Sequence, residues 1–141
     1  IINLASAEEQ LKVMKSIASI LKPGGHFLLL ENSVGSHRAI NDVRQHLGLA
    51  RRPVAEYNIF VDESTIKSFE ATMKLVDTQY ISGMHDLLLY AVQPAATGQS
   101  EGYDSPLMKS LTEALLSLSD NGIAGPQSLG QNVLWIWQKE L

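Results

Sequence analysis

The 141-residue sequence contains no cysteine, which excludes a disulfide framework, a thiolate nucleophile and a thiolate metal site. The absence of cysteine agrees with a reducing, cytoplasmic location, which is the one that we expect. Apolar runs such as Phe27 to Leu30 and Leu87 to Val92 are much shorter than the roughly 20 residues that span a bilayer. We therefore expect no membrane partner.

Basic residues are also scarce, since 11 Lys and Arg stand against 15 Asp and Glu and give a formal net charge of -4. Binding to nucleic acid depends largely on clustered Lys and Arg, so we expect no nucleic-acid partner. The stretch from His37 to Pro53 is a local exception, because it carries four arginines and one acid, Asp42. A solvated loop is the simplest interpretation of this basic stretch. Its arginines are Arg38, Arg44, Arg51 and Arg52.

The first residues carry no initiator Met and no secretory-signal pattern, so we expect the chain to begin in the middle of a longer sequence. Ile1 to Leu4 is short, apolar and β-branched, which predicts the last part of a strand. Ser6 and Glu9 form a capping-box pattern. Apolar residues then recur at helical spacing and predict an amphipathic helix over Ala7 to Leu21.

A turn signal follows this helix. Pro23 disfavours helical conformation at Lys22, and Gly24-Gly25 permit a sharp reversal into the next element, Phe27 to Glu31. The apolar residues of that element are continuous, which is typical of a central parallel strand covered on both faces. Strand, helix and strand together predict a βαβ unit.

The middle of the chain predicts one helix that ends near Gly48 and a second, short helix over Ser64 to Met73. Two extended segments follow, Leu75 to Ser82 and His85 to Val92, and Gly83-Met84 between them indicates an antiparallel pair.

The C-terminal part begins with a predicted loop over Pro94 to Asp104. Ser105-Pro106 then predicts the start of a helix, and Val133 to Trp137 predicts a closing strand. This strand is apolar on both faces, which favours burial between layers or at a subunit boundary over an aromatic substrate platform. We expect a core over residues 1–94 and an extension over residues 95–141 that packs on the same domain.

The segment Leu21-Lys22-Pro23-Gly24-Gly25, between an amphipathic helix and an apolar strand, resembles the segment that precedes the fifth strand in class I S-adenosylmethionine-dependent methyltransferases. The resemblance covers roughly Ile1 to Val92 and includes Asn3 to Ser6, Glu31-Asn32 and the spacing of Asn41 and Arg44. It implies the C-terminal half of a Rossmann-like α/β fold. That fold would have central parallel strands and a C-terminal antiparallel hairpin, flanked by helices, with a helix-strand extension.

The family's cofactor is S-adenosyl-L-methionine, so the resemblance implies this cofactor for the complete protein. The family holds it mainly through a glycine-rich turn after the first strand and an acidic residue at the end of the second. Neither precedes Ile1 here, so we expect weak or absent cofactor binding by this chain alone. Ligands in open α/β sheets lie outside the carboxyl ends of the strands, which would place Asn3, Leu4 and Ala5 beside the cofactor.

The same rule places Glu31 and Asn32 beside the methyl acceptor. Glu31 is a candidate to accept a substrate proton, or to pair with Arg38 or Arg44, or simply to end the strand in solvent. Asn32 is a candidate to orient a polar substrate group, or to favour the following turn. His37 follows the strand on the same side and is the best-placed general base, although a lone loop histidine is often a surface residue.

Arg44 is a candidate to bind a substrate carboxylate or phosphate, with Asn41 one helical turn away. An ion pair within the chain, with Asp42, Glu56 or Glu63, explains Arg44 equally well. Tyr57-Asn58 is expected to line the same cleft or to form a turn. The spacing of His and acidic residues resembles no metal site.

The resemblance implies methyl transfer to oxygen or nitrogen of a small polar metabolite by the complete protein, and a substrate role for Arg44 would make that metabolite anionic. This chain alone is expected to be inactive. A non-catalytic α/β interaction or assembly module, dimerising through an exposed strand edge, is the alternative. A different nucleotide-linked α/β enzyme is a third interpretation, because a fold does not fix the chemistry.

Overall fold

The computed structural model of the chain describes residues 1–81, 83–99, 102, 105–120 and 129–141, with the backbone alone at 115–120. The chain divides into two compact units. The first unit contains Ile1–Gly35, Pro53–Gln79 and Asn132–Leu141, and the second contains Ser36–Arg52 and Tyr80–Gln131. Each unit takes residues from both sides of position 94. Within the described ranges, every helix is too short or too polar to cross a membrane.

The described elements include both helices and strands, so the expectation of a mixed α/β chain is confirmed. The strands are β1 (His26–Asn32), β2 (Lys74–Ile81) and β3 (Asn132–Gln138). The helices are α1 (Ala7–Ile20), α2 (Val34–His46), α3 (Glu63–Glu70), α4 (Gly83–Leu87), α5 (Gln93–Thr97) and α6 (Pro106–Asp120), with a π-helical turn at Leu88–Val92.

Helix α1 begins where the capping signal predicted. The Ser6 hydroxyl accepts a hydrogen bond from the Glu9 backbone N–H at 3.1 Å, and Glu9 Oε2 accepts one from the Ala5 N–H at 3.0 Å. The helix ends at Ile20, and its buried face includes Met14 and Ala18. The prediction of this helix is confirmed to within one residue.

The Pro-Gly-Gly turn leads directly into β1 and also pairs with the end of β3. Gly24 has a φ of 76°, a left-handed conformation that favours glycine. A Cβ at Gly25 would lie 2.9 Å from the Lys22 carbonyl oxygen, so a side chain there would force the turn to shift. Gly24 N–H donates to the Lys139 carbonyl at 3.0 Å, and Lys139 N–H donates to the Gly25 carbonyl at 2.9 Å.

The sheet differs from the prediction. It has three strands in the order β1-β3-β2, and β3 pairs antiparallel with β1, so the expectation of central parallel strands is wrong for this sheet. Phe27 and Leu29 of β1 are buried, whereas Leu28 and Leu30 are 58% and 57% exposed. The continuous apolar run therefore belongs to a strand covered on one face, as antiparallel sheets allow.

Helices α1 and α3 cover the buried face of the sheet and form the core of the first unit with it. Phe69 from α3 meets the rings of Phe27 and Trp137 edge-on, at centroid distances of 5.7 and 5.1 Å. Phe27 and Trp137 stack on each other at 5.6 Å, as their opposed positions in β1 and β3 allow. The predicted strand at Val133 to Trp137 is confirmed, and its tryptophans lie in this core.

The structure differs most from the prediction in the second unit. Residues 83–97 are helical, so the predicted strand over His85 to Val92 and the hairpin built on it are wrong. Buried residues recur along this run at helical spacing, but two of them, Asp86 and Gln93, are polar. Because apolar residues alone reveal helical periodicity, these two positions hid the pattern. The first predicted strand of the pair is present as β2, and Ser82 lies outside the described residues.

The core of the second unit joins α2, the helical run and α6 through Ile40, Leu89, Ala91 and Met108. Helix α6 starts as predicted, because Ser105 Oγ accepts a hydrogen bond from the Met108 backbone N–H at 3.1 Å. The predicted loop over Pro94 to Asp104 contains α5 in its first part. Positions 100, 101, 103 and 104 of that loop lie outside the described residues.

Candidate functional site

Three segments of the first unit meet at the carboxyl end of β1. Ser33 forms a parallel bridge with Val61, in which Val61 N–H donates to the Asn32 carbonyl and Val34 N–H donates to the Val61 carbonyl, both at 3.0 Å. The same segment reaches the start of the chain, because Ile59 N–H donates to the Ile2 carbonyl at 2.7 Å. Backbone hydrogen bonds thus hold all three segments in fixed positions.

Glu31 and Asn32 lie at this end of β1, as the sequence predicted. The Glu31 carboxylate contacts the backbone nitrogen of Ile1, and its side chain is only 16% exposed. Asn32 is half-buried and contributes its carbonyl to the bridge with Val61. The structure therefore brings both residues to the predicted edge of the sheet, and their proton-accepting and orienting roles stay predictions.

The predicted cofactor-side residues form a turn that leads into α1. Leu4 N–H donates to the Ile1 carbonyl at 3.2 Å, so the expected strand over Ile1 to Leu4 is wrong. Asn3 and Ala5 are exposed, and Leu4 is half-buried. The Asn3 side chain thus lies at the surface, and the cofactor-binding role of the three residues stays a prediction.

Tyr57 and Asn58 also form a turn, one of the two alternatives that the sequence left open. Asn58 N–H donates to the Ala55 carbonyl at 2.8 Å, and Tyr57 is 75% exposed. The chain after this turn is anchored from α1, because Gln10 Nε2 donates to the Ile59 carbonyl at 2.5 Å. Tyr57 is thus available at the surface of the first unit.

The second unit holds a cluster of polar side chains from separate parts of the chain. Helix α2 contributes His37 and Asn41, the segment after it contributes Arg52, α4 contributes Asp86, and Gln131 precedes β3. We call these five residues the polar cluster. Asn41, Asp86 and Gln131 are buried, and His37 and Arg52 are half-buried.

Asn41 fixes the backbone of Arg52. Its Oδ1 accepts a hydrogen bond from the Arg52 N–H at 2.7 Å, and its Nδ2 donates to the Arg52 carbonyl at 3.1 Å. Nδ2 also lies 3.0 Å from His37 Nε2. The two predicted residues His37 and Asn41 are thus in contact, one helical turn apart.

Arg44 is buried and bonds to backbone carbonyls. Its Nε donates to the Ala50 carbonyl at 2.8 Å, and its Nη1 donates to the Tyr90 carbonyl in the π-helical turn. Asp42, one of its predicted partners, forms a pair with Arg51 at 3.3 Å. These bonds use donors that a substrate anion would need, and the substrate role of Arg44 stays a prediction.

Sequence analysis missed three members of the polar cluster. Arg52 lies over the Tyr90 ring, with its guanidinium carbon 3.7 Å from the ring centroid, and its Nη1 donates to Gln131 Oε1 at 3.2 Å. The basic stretch pointed to Arg52, but nothing local distinguished it from its neighbours. Gln131 is 94 residues from His37, and no local pattern links them.

Asp86 is the one acid among the five residues of the cluster. Burial raises the pKa of its carboxyl above the usual range, against the opposing effects of hydrogen bonds from the Gln131 N–H and from His85. The Gln131 N–H donates to Oδ2 at 2.7 Å, and His85 Nδ1 lies 3.3 Å from Oδ1. A correct helix assignment for residues 83–97 would have placed Asp86 on the same face as Tyr90.

Both places offer proton acceptors and hydrogen-bonding groups, and neither offers a metal site. Within the described ranges no three His, Asp or Glu side chains come together in a way that could hold a metal ion. Comparison with known protein families finds no matching family model, and comparison with curated proteins finds no match.

Proposed function

We propose that this chain is the C-terminal half of a class I S-adenosylmethionine-dependent methyltransferase whose complete form methylates oxygen or nitrogen of a small polar metabolite. The observation that carries the proposal is the path of the chain from α1 through Lys22 to Gly25 into β1. The family's sheet ends in two paired strands after its fifth strand. Here β2 and β3 follow β1 in the chain and are neighbours in the sheet, which supports the proposal.

The position of polar groups gives further support. Ligands of open α/β sheets lie outside the carboxyl ends of the strands, and Glu31 and Asn32 stand at that end of β1. Methyl transfer to a hydroxyl or an ammonium needs a group that accepts a proton and groups that hold the nucleophile in line. Glu31 or His37 would accept the proton. Asn32 would orient the substrate that accepts the methyl group.

The cofactor fits the described residues only in part. The exposed Asn3 amide and the backbone of its turn suit polar groups of S-adenosylmethionine, which supplies the methyl group when it is bound. The described residues include no glycine-rich turn beside them that would admit a nucleoside, by analogy with dinucleotide sites. We therefore expect calorimetric titration of this chain with S-adenosylmethionine to show weak binding or none, and micromolar affinity would contradict that expectation.

The decisive experiment begins with the coding sequence upstream of Ile1, where we expect an apolar strand followed by a glycine-rich turn. The product of the complete reading frame is then assayed for transfer of labelled methyl groups to a panel of small alcohols, acids and amines. Glu31→Gln and His37→Gln test which side chain accepts the proton. The variant that lacks the proton acceptor should transfer methyl groups about 10²-fold more slowly, or slower still.

Matched controls are Glu8→Gln and His26→Gln, which change exposed residues of α1 and β1 and should keep full activity. A reading frame without the glycine-rich turn, or a complete product that transfers no methyl group to any acceptor, would contradict the proposal. Equal activity of all four variants would remove Glu31 and His37 from the mechanism.

A non-catalytic assembly module is the second candidate, and the exposed apolar side chains of β1 favour it. Leu28 and Leu30 point away from the core, and β1 is an edge strand in the order of this sheet. Light scattering over a concentration series should then show a homodimer that Leu28→Thr with Leu30→Thr dissociates. Ile20→Thr, at an exposed position at the end of α1, is the control, and a monomer at high concentration would exclude this candidate.

A further inference from the structure

The His37 ring is held by partners that fix which of its nitrogens carries the proton. Nδ1 lies 3.1 Å from Gln131 Oε1. Arg52 Nη1 donates to the same oxygen, and a guanidinium has donors only, so the Gln131 atom that faces both groups is the acceptor oxygen. His37 Nδ1 therefore carries a proton in this contact.

The other ring nitrogen is consequently the one that can act as a base. In a neutral imidazole with a protonated Nδ1, Nε2 holds the lone pair, and Asn41 Nδ2 donates toward it at 3.0 Å. Asn41 Nδ2 also donates to the Arg52 carbonyl, so it keeps a partner when Nε2 takes a proton. The Arg52 carbonyl, 3.1 Å from Nε2, can then accept a hydrogen bond from the protonated ring.

Gln131 is itself held on its backbone side by Asp86. Its N–H donates to the buried Asp86 Oδ2 at 2.7 Å, a charge-assisted bond when the carboxyl is ionised. The preceding residue is equally constrained, because a Cβ at Gly130 would overlap the Ile81 carbonyl and lie 3.0 Å from the Gly83 nitrogen. Contacts from α4 and from Ile81 thus fix the backbone from which the Gln131 side chain extends toward His37.

We propose that Asp86 is a positioning residue for His37 and acts through Gln131 to keep Nδ1 protonated and Nε2 available as the base. The inference rests on the proposed function, in which His37 is a candidate proton acceptor. Asp86 touches no reacting group in this arrangement. It fixes the Gln131 backbone, and the Gln131 side chain orients the imidazole, as second partners commonly orient a catalytic or ligating histidine.

The test is long-range ¹H–¹⁵N correlation NMR of the His37 ring in the full chain, near neutral pH and without added ligand. The parent chain should show the Nδ1–H tautomer. Asp86→Ala should give a mixture of tautomers, whereas Asp86→Asn, which keeps an acceptor oxygen for the Gln131 N–H, should restore the parent pattern. Asp42→Ala, at an exposed position of α2, is the control and should change nothing.

Gln131→Met removes the acceptor from His37 directly and serves where Asp86→Ala does not fold. It should also give mixed tautomers. A folded Asp86→Ala or Gln131→Met chain with an unchanged tautomer would overturn the inference, as would an Nε2–H tautomer in the parent. The NMR measurement needs no methyl donor or acceptor, so a complete protein without methyltransferase activity would refute the proposed function and leave the positioning result intact.

Discussion

Lys139 closes the C-terminal end of α1 from a distant part of the chain, and its removal gives a well-defined prediction. The last carbonyls of a helix have no partner within the helix, and the last turn of α1 contains no basic residue. Lys139 Nζ donates to the carbonyls of Ala18 at 2.9 Å, Leu21 at 2.8 Å and Ser19 at 3.4 Å. One ammonium group thus uses its three donors on one helix end.

Lys139→Met keeps most of the apolar stem and removes the charge. Hydrogen bonds to charged groups contribute about 1.5–3 kcal/mol, and a cation at a helix C-terminus contributes about 0.3–1 kcal/mol more. Because Lys139 is half-buried, water can form hydrogen bonds to some of the carbonyls that lose the ammonium group. We therefore expect a decrease of about 2 kcal/mol in the free energy of unfolding. With a urea slope of about 1–3 kcal/mol/M, the midpoint should fall by about 1 M.

The fluorescence of Trp135 and Trp137 is the appropriate assay, because both tryptophans of the chain lie in the core of the first unit. Lys12→Met, on the exposed side of α1, removes the same charge without these contacts and should change stability by less than about 0.5 kcal/mol. If Lys139→Met and Lys12→Met have the same urea midpoint, the three hydrogen bonds do not stabilise the helix end and the reasoning is refuted.

Three further changes test other parts of the structure. Gly130→Ala should cost about 3 kcal/mol or more by circular dichroism in urea, because its Cβ would meet backbone atoms. Gly102→Ala, whose Cβ would meet no atom of the described residues closer than 3.6 Å, should be nearly neutral. Phe69→Leu should lower the free energy of unfolding by about 1–3 kcal/mol through lost ring contacts and a cavity, and a loss below about 0.5 kcal/mol would contradict the packing described. The pKa of Asp86 is raised in the native state, so the native state binds this proton more tightly than the unfolded chain does. The free energy of unfolding should therefore fall as pH rises from the ordinary pKa of 3.8 through the raised pKa. Asp86→Asn should remove this part of the pH dependence. Parallel pH profiles of the parent and Asp86→Asn would refute this assignment.

The elements that could be predicted from the sequence are those whose signals are local. The Ser6 cap, the Pro23 stop and the glycines after it determine α1 and the start of β1 without any distant contact. The partner of β1 could not be found in this way, because β3 begins a hundred residues later and strand pairing leaves no local mark on β1 beyond its apolar residues. The prediction that β1 lies among parallel strands was accordingly wrong.

The polar cluster shows why only part of the candidate site could be predicted. His37 and Asn41 stood out because they occupy one helix face after a strand, which is a local pattern. Asp86 was missed because buried polar residues interrupt the apolar spacing by which a helix is recognised. A buried polar residue that holds other polar groups in place is thus hard to find from apolar periodicity alone.

The residues of the polar cluster are hydrogen-bonded to one another, and this pairing indicates what the cluster contributes to the fold. Buried polar groups cost stability unless they are paired, and well-packed apolar side chains are often equally stable in their place. Here Gln131 Oε1 accepts from both His37 and Arg52, while Asn41 binds both the N–H and the carbonyl of Arg52. Such an arrangement fixes orientation more than it adds stability. If orientation is the main contribution of the cluster, replacing both His37 and Gln131 by leucine should lower the free energy of unfolding by less than the sum of the two single replacements. The reason is that each single replacement leaves the other residue of the His37–Gln131 pair without its partner, and the double replacement does not.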